Sequence, residues 1–260
     1  GVLPHHGKII PVYPIQLEQR LNENKLLMKK NLLVSILLSF GLSPLVEAQE
    51  ANPLRDSLKV AAEVLAYHPD SVDLLLKKAA WNIELEQWQY AKDSYDIVLA
   101  KEPTNIAALY FRAYANERLN RFNFARLDYE HLLSIVPGNY QAQLGLALLN
   151  HKSKHYTEAM DMMNHLASQF PDSAVVFAAR ANMEKDRKMY SVAEYDITKA
   201  INLDPKNVEY LLSRADLRIK LCLWPDAKAD LKKLLDLGVP VSSLNDMFVS
   251  VKKRRNKQSR

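Results

Sequence analysis

The chain has 260 residues, 48% hydrophobic and 25% charged, with a formal net charge of +5. A single cysteine, Cys222, excludes an intramolecular disulfide and a thiolate zinc site, and six glycines that never cluster exclude a phosphate-cradling loop. Six basic residues crowd into 252–260, so the rest is near neutral and gives nucleic acid no broad basic face.

Residues 1–27 carry no initiating Met and are expected to be an upstream leader, read as an over-extended reading frame. Met28-Lys29-Lys30 then opens a bacterial-type secretory signal over 28–48. Two cations precede an apolar run from Leu32 to Leu42, and Val46-Glu47-Ala48 supplies small residues for cleavage after Ala48. The run is short for a bilayer span; retention as an uncleaved anchor is the rival reading. No Cys lies near the cleavage site, so the expected destination is the periplasm or the medium, without lipid attachment.

Residues 49–71 read as half of a helical unit. Pro53 to His68 matches a second helix alone, with Leu54, Ser57 and Pro69 in the registers of the units that follow. Such a half-unit covers the open edge of a helical stack.

From residue 72 a period of 34 residues governs the chain. Pro69, Pro103, Pro137, Pro171 and Pro205 are evenly spaced, as are Ala79, Ala113, Ala147, Ala181 and Ala215. Ala91, Ala125, Ala159, Ala193 and Ala227 keep the same step, as do the aromatic residues Trp88, Phe122, Tyr156, Tyr190 and Trp224. A fixed period of this length means one small helical unit copied and stacked. Ser71, Asn105, Asn139, Ser173 and Asn207 follow the prolines, and all five are N-cap types. Proline closes the preceding helix by pushing the residue before it out of the α region. The alanines allow two antiparallel helices to approach closely. The aromatic column reads as core, with a stacking platform for nucleic acid as the weaker alternative.

These four columns together resemble the tetratricopeptide repeat family. The resemblance covers Val72 to Val241 as five repeats, 72–105, 106–139, 140–173, 174–207 and 208–241. It implies an all-α, right-handed α-solenoid of helix-turn-helix repeats, with an N-terminal half-repeat and a C-terminal capping helix. Two family columns are not respected. Gln143 replaces the apolar residue held by Leu75, Leu109, Phe177 and Leu211, and Asn82, Asn116, Asn150, Glu184 and Arg218 replace a late aromatic.

Because the chain carries five copies of itself, pairings can be read across them. Arg112, Arg180 and Arg214 precede the first-helix alanine in the repeats whose second helices carry Asp128, Asp196 and Asp230. The third repeat has Leu146 and Met162 at those places, and the first has Lys78 and Ser94. An Arg–Asp bridge between the two helices is inferred, replaced by an apolar contact in the third repeat. Two independently exposed charges are the alternative.

After the repeats, Leu244, Met247, Phe248 and Val251 mark an apolar face over 242–251, with Ser243 and Asp246 as a capping box. Residues 252–260 read as a basic, solvated and disordered tail, or as a weak contact to anionic lipid.

No catalytic constellation emerges. His151 and His155 share the four-residue spacing of one helical face, but the helix is expected to end between them, so no metal is assigned. No Ser or Cys nucleophile has a patterned His and acid beside it, and no cofactor is expected. The resemblance implies that first helices line an inner face where partners lie. On that face fall Leu76, Tyr110, Tyr114, Glu117, Leu144, Leu148, His151, Asn182 and Lys185. Tyr110 and Tyr114, one turn apart, are expected to set their rings side by side. An open groove of this kind suits a helix or extended peptide of another protein. The carboxylate clamp of the family's co-chaperones is not carried over, because Leu76, Ala80, Phe111, Gln141 and Gly145 occupy its places.

Overall fold

The computed structural model describes residues 53–258, with side chains to Lys252; the expected leader and signal segment lie outside the described residues. Among the described residues there are twelve helices and no strand, an all-α helical repeat fold. The chain divides between Leu119 and Asn120 into two compact units.

The first unit contains α1 (Pro53–Tyr67), α2 (Val72–Glu84), α3 (Trp88–Lys101) and α4 (Ile106–Arg118), each packed on the next. Its core takes Leu75, Ala79, Ala91, Tyr95, Val98 and Leu109. Tyr95 lies parallel to Phe111, with ring centroids 6.1 Å apart.

The second unit contains α5 (Phe122–Ile135), α6 (Tyr140–Lys152), α7 (Tyr156–Gln169), α8 (Ala174–Asp186), α9 (Tyr190–Leu203), α10 (Val208–Lys220), α11 (Trp224–Asp236) and α12 (Val241–Gln258). Successive helices again pack pairwise, and α12 lies on both α10 and α11. Leu244 is buried there, with Met247, Phe248 and Val251 against the same core. Helix α12 starts just after Pro240, which places Ser243 inside it rather than at its cap. The helix also continues to Gln258, so the first basic residues ride on a helical backbone in place of a disordered tail.

Local chemistry sets each helix end. Glu102, Val136, Phe170 and Asp204 stand before prolines and adopt φ from −125° to −133°, outside the α region. Asn105, Asn139, Ser173 and Asn207 then accept from the third backbone amide of the next helix, at 3.0, 2.8, 3.4 and 3.2 Å. Ser71 makes no such side-chain bond, which departs from the N-cap expectation for that position. Between the two helices of each repeat the backbone turns through the left-handed region at Glu86, Asn120, Lys154, Lys188 and Cys222, with φ from 56° to 68°. The fifth repeat ends differently: its second helix stops at Gly238 with φ 88°, and Val239 N–H returns to the Leu234 carbonyl.

Both alanine columns are shut away from solvent, at 1% exposure or less throughout. A larger side chain there would force the helices apart. The aromatic column is less uniform. Trp224 is buried, but Tyr156 is 41% exposed, so the ring in the third repeat covers the helix mouth instead of filling the core.

Candidate partner-binding faces

The arginines are anchored on two sides. In the second unit Arg180 donates from Nε and Nη2 to the two oxygens of Asp196 at 2.5 and 2.9 Å, and from Nη1 to Asn164 at 3.0 Å. Arg214 grips Asp230 likewise, at 3.0 and 2.6 Å, and reaches Thr198 at 3.2 Å. Each arginine therefore ties its own repeat to the second helix of the repeat before. Asp196 and Asp230 are almost fully buried, so these are charge-assisted bonds in a desolvated place. The bond to Asp196 also raises the Arg180 pKa.

In the first unit Arg112 bonds to Asp96 at 2.8 Å, the backward partner that the forward pairing alone does not suggest. Arg112 and Asp128 fall in different units, and that pairing stays an expectation. The signal for the backward partner was present in the sequence: Asp96, Glu130, Asn164 and Thr198 form a polar column at the 34-residue step.

One column is polar in every repeat and buried in the first four. Asn82, Asn116, Asn150 and Glu184 are all 2–3% exposed, and Arg218 continues the column. The backbone carbonyls of Asn82, Asn150, Glu184 and Arg218 accept from the amide of the residue just before the second helix, at 2.8–2.9 Å. Asn150 Nδ2 meets Met162 Sδ at 3.3 Å. Arg218 bonds Glu194 at 2.8 Å and Asp230 at 2.9 Å. Burial pushes the Glu184 carboxyl up to about 7, with Asp196 adding to the rise and Arg180 opposing it.

The inner-face residues separate by unit. In the first, Leu76, Tyr110 and Glu117 are half-buried and Tyr114 is only 8% exposed. The two tyrosine rings part company: Tyr110 meets Phe111 edge-on at 5.2 Å, and Tyr114 meets Trp88 edge-on at 5.8 Å. Side-by-side rings are thus replaced by one surface ring and one core ring. Trp88 claims Tyr114 because an edge-to-face contact with a large ring is worth more than a solvated phenol.

In the second unit Leu144 is buried and Leu148, one turn later, is exposed. His151 Nε2 lies 3.0 Å from Asp186 and its ring packs on Tyr156, whereas His155 turns to Arg126 at 3.1 Å. The two imidazoles have separate partners. Among the described residues no group of three or more His, Cys, Asp and Glu could hold a metal. Asn182 and Lys185 come together in an open recess of about 360 Å³ with Leu212, Ser213 and Asp216, and Met247 of α12 forms one wall. Lys185 Nζ lies 3.5 Å from Asp216, and the Ser213 hydroxyl is buried there without a hydrogen-bond partner. Sequence reasoning placed Met247 on the apolar face of the last helix but not at this recess, since nothing in the repeat register says where that helix lies, and it did not single out Ser213.

Residues 118–183 match the tetratricopeptide repeat family. A tetratricopeptide repeat protein from Parabacteroides merdae ATCC 43184 shares 22% identity over 77% of this chain and 78% of its own, with a TM-score of 0.64. Residues 118–183 thus carry the tetratricopeptide repeat pattern, and the described helices share the fold of such repeats. Two further solved structures resemble this repeat protein in fold. YrrB, described as a TPR protein with an unusual peptide-binding site, is 12% identical over 76% of this chain and 99% of its own, with a TM-score of 0.52. MamA from Desulfovibrio magneticus RS-1 is 15% identical over 70% of this chain and 96% of its own, with a TM-score of 0.54. At these identities the likeness is one of fold. No curated protein matches the sequence.

Proposed function

We propose that this repeat protein is a non-enzymatic scaffold that holds a helix or extended peptide of another protein on its first-helix faces. The supporting observation is the open recess of the second unit. Asn182 and the orphaned Ser213 hydroxyl offer backbone-type hydrogen bonds there, beside the apolar Leu212 and Met247. Leu148 stands exposed on α6 at the position equivalent to Asn182. Polar groups with unmade bonds beside exposed apolar surface are what a peptide main chain and its side chains need. In the first unit the contribution falls to Leu76, Tyr110 and Glu117, because Tyr114 serves the core.

A peptide library selected on the intact chain tests this. Its ligands should lose affinity by about tenfold or more with Leu148→Asp or Asn182→Ala, at an unchanged unfolding midpoint. Ligands indifferent to both substitutions would remove binding from this face.

A second reading adds lipid. The helical backbone continues through the basic stretch to Gln258, which keeps those cations on one element. On this reading 28–48 directs export, and the basic end touches anionic membrane. Among the described residues no helix is long and apolar enough to cross a membrane. Removing residues 252–260 should abolish binding to anionic vesicles, and binding by the full chain should weaken as salt is raised.

A further inference from the structure

A second open recess, of about 460 Å³, lies between α7 and α9 with α8 at its back. Its origin is legible in the repeat register. Leu99, Leu133 and Ile201 hold one position in the second helices, and Ala167 holds it in the third repeat. The missing side-chain atoms leave the hole, and Phe177 forms an apolar wall behind it.

The charges around it do not balance. Arg180 enters from α8, already matched by Asp196. Lys199 enters from α9 with its ammonium over the rings of Phe177 at 5.1 Å and Tyr195 at 4.7 Å. Among the described residues Lys199 has no carboxylate partner. Asp196 and the nearby Glu184 answer the charge of Arg180, so Lys199 is the cation left facing the recess without an ion pair, beside an apolar surface.

The chain itself displays the chemistry that is lacking. In the first unit the position equivalent to Asn164 is Asp96, whose carboxylate accepts from Arg112 at 2.8 Å. In the second unit Asn164 stands there, and Arg180 Nη1 meets only an amide oxygen. We propose that the recess between α7 and α9 receives an acidic side chain of a partner polypeptide, with that residue's apolar neighbour lying on Ala167 and Phe177. The carboxylate sits between Arg180 and Lys199, where cation–π contact pre-orients the ammonium and lowers the entropy lost on binding. A free phosphate gains nothing from the apolar wall, which is why a peptide is the better match. This surface lies on second helices and is independent of the first-helix face.

The test titrates the intact chain with acetyl-Leu-Glu-Leu-amide while following the Arg180 Nε–H and Ala167 methyl resonances. Both should shift. The matched Gln peptide should bind about fivefold or more weakly, and so should the Glu peptide to Lys199→Gln. Ala167→Leu, which installs the residue found at positions 99 and 133, should eliminate the shift at Arg180 without lowering the unfolding midpoint. Lys199 is half-exposed, so its variant carries the test if Ala167→Leu does not fold. Equal binding of the Gln peptide, undiminished binding by either variant, or no shift up to about 10 mM peptide overturns the proposal. Equal shifts with inorganic phosphate would overturn it in favour of a free anion.

Discussion

The third and fourth repeats fold the same backbone around different interiors. Their first helices, α6 and α8, are of equal length, and both alanine columns are closed in each. Where the fourth buries Asp196 against Arg180 and places Glu184 nearby, the third has Met162, Leu146 and Asn150. Alanine contacts, proline-terminated second helices and left-handed turns therefore fix the hairpin, and the layer beside them accepts either apolar or ionic content. What that layer changes is the response to mutation and to pH.

The ionic version is the fragile one. Arg180→Ala would leave Asp196, 1% exposed, without its main partner, and should cost about 3–5 kcal/mol in a denaturant titration. Converting the pair to the third repeat's solution, Arg180→Leu with Asp196→Met, should recover most of that loss, because a well-packed apolar pair is often neutral or better than a buried ion pair. A single Arg180→Ala loss of a few tenths of a kcal/mol would mean that the contrast between the repeats has no energetic content.

Glu184 gives the next largest effect, and it depends on pH. Its pKa of about 7 lies above the ordinary 4.5, so the folded chain holds this proton more tightly than the unfolded chain. Below pH 4.5 both states carry the proton and the site costs nothing. As pH rises towards 7 the unfolded state releases it first, and stability falls by on the order of 3 kcal/mol before levelling off near pH 8. Glu184→Gln should remove this slope and make the protein more stable at pH 8 than at present. Asn150 predicts the same for Glu184→Asn, although its shorter side chain leaves space unfilled. A slope that survives Glu184→Gln would assign it to another group.

How far this contrast could be read from sequence depends on the range of the forces involved. The helix ends were legible because proline and N-cap effects act on adjacent residues, and the alanine columns because one close contact tolerates nothing larger. The core role of Tyr114 was not, since Trp88 decides it from another helix. The bond from Arg112 to Asp96 was half legible: the polar column at 96, 130, 164 and 198 marks a backward partner, but the register alone does not say that the arginine turns to it. The recess at Ala167 shows itself only when the repeats are superposed and the one small residue stands out. Gly145 is similar. A Cβ built there would lie 2.7 Å from Tyr129 Cζ, so the glycine exists to admit that ring. Gly145→Ala should cost about 1–3 kcal/mol by thermal unfolding. Adding Tyr129→Met, which copies the Met163 and Ala179 pairing of the next junction, should restore it.

The smallest effect comes from what the repeats share. Lys154 and Lys188 hold φ values of 68° and 61° in the turns of the third and fourth repeats, a region where a Cβ crowds the following carbonyl. Glycine removes that crowding but gives the unfolded chain more freedom, so the net gain from Lys154→Gly or Lys188→Gly should be about 0.5–1 kcal/mol. Equal gains at both sites are expected, because the turn is independent of whether the layer beneath it is apolar or ionic. A gain at one site and a loss at the other, in matched melting curves, would couple the turns to the interiors and undo the separation of hairpin from filling.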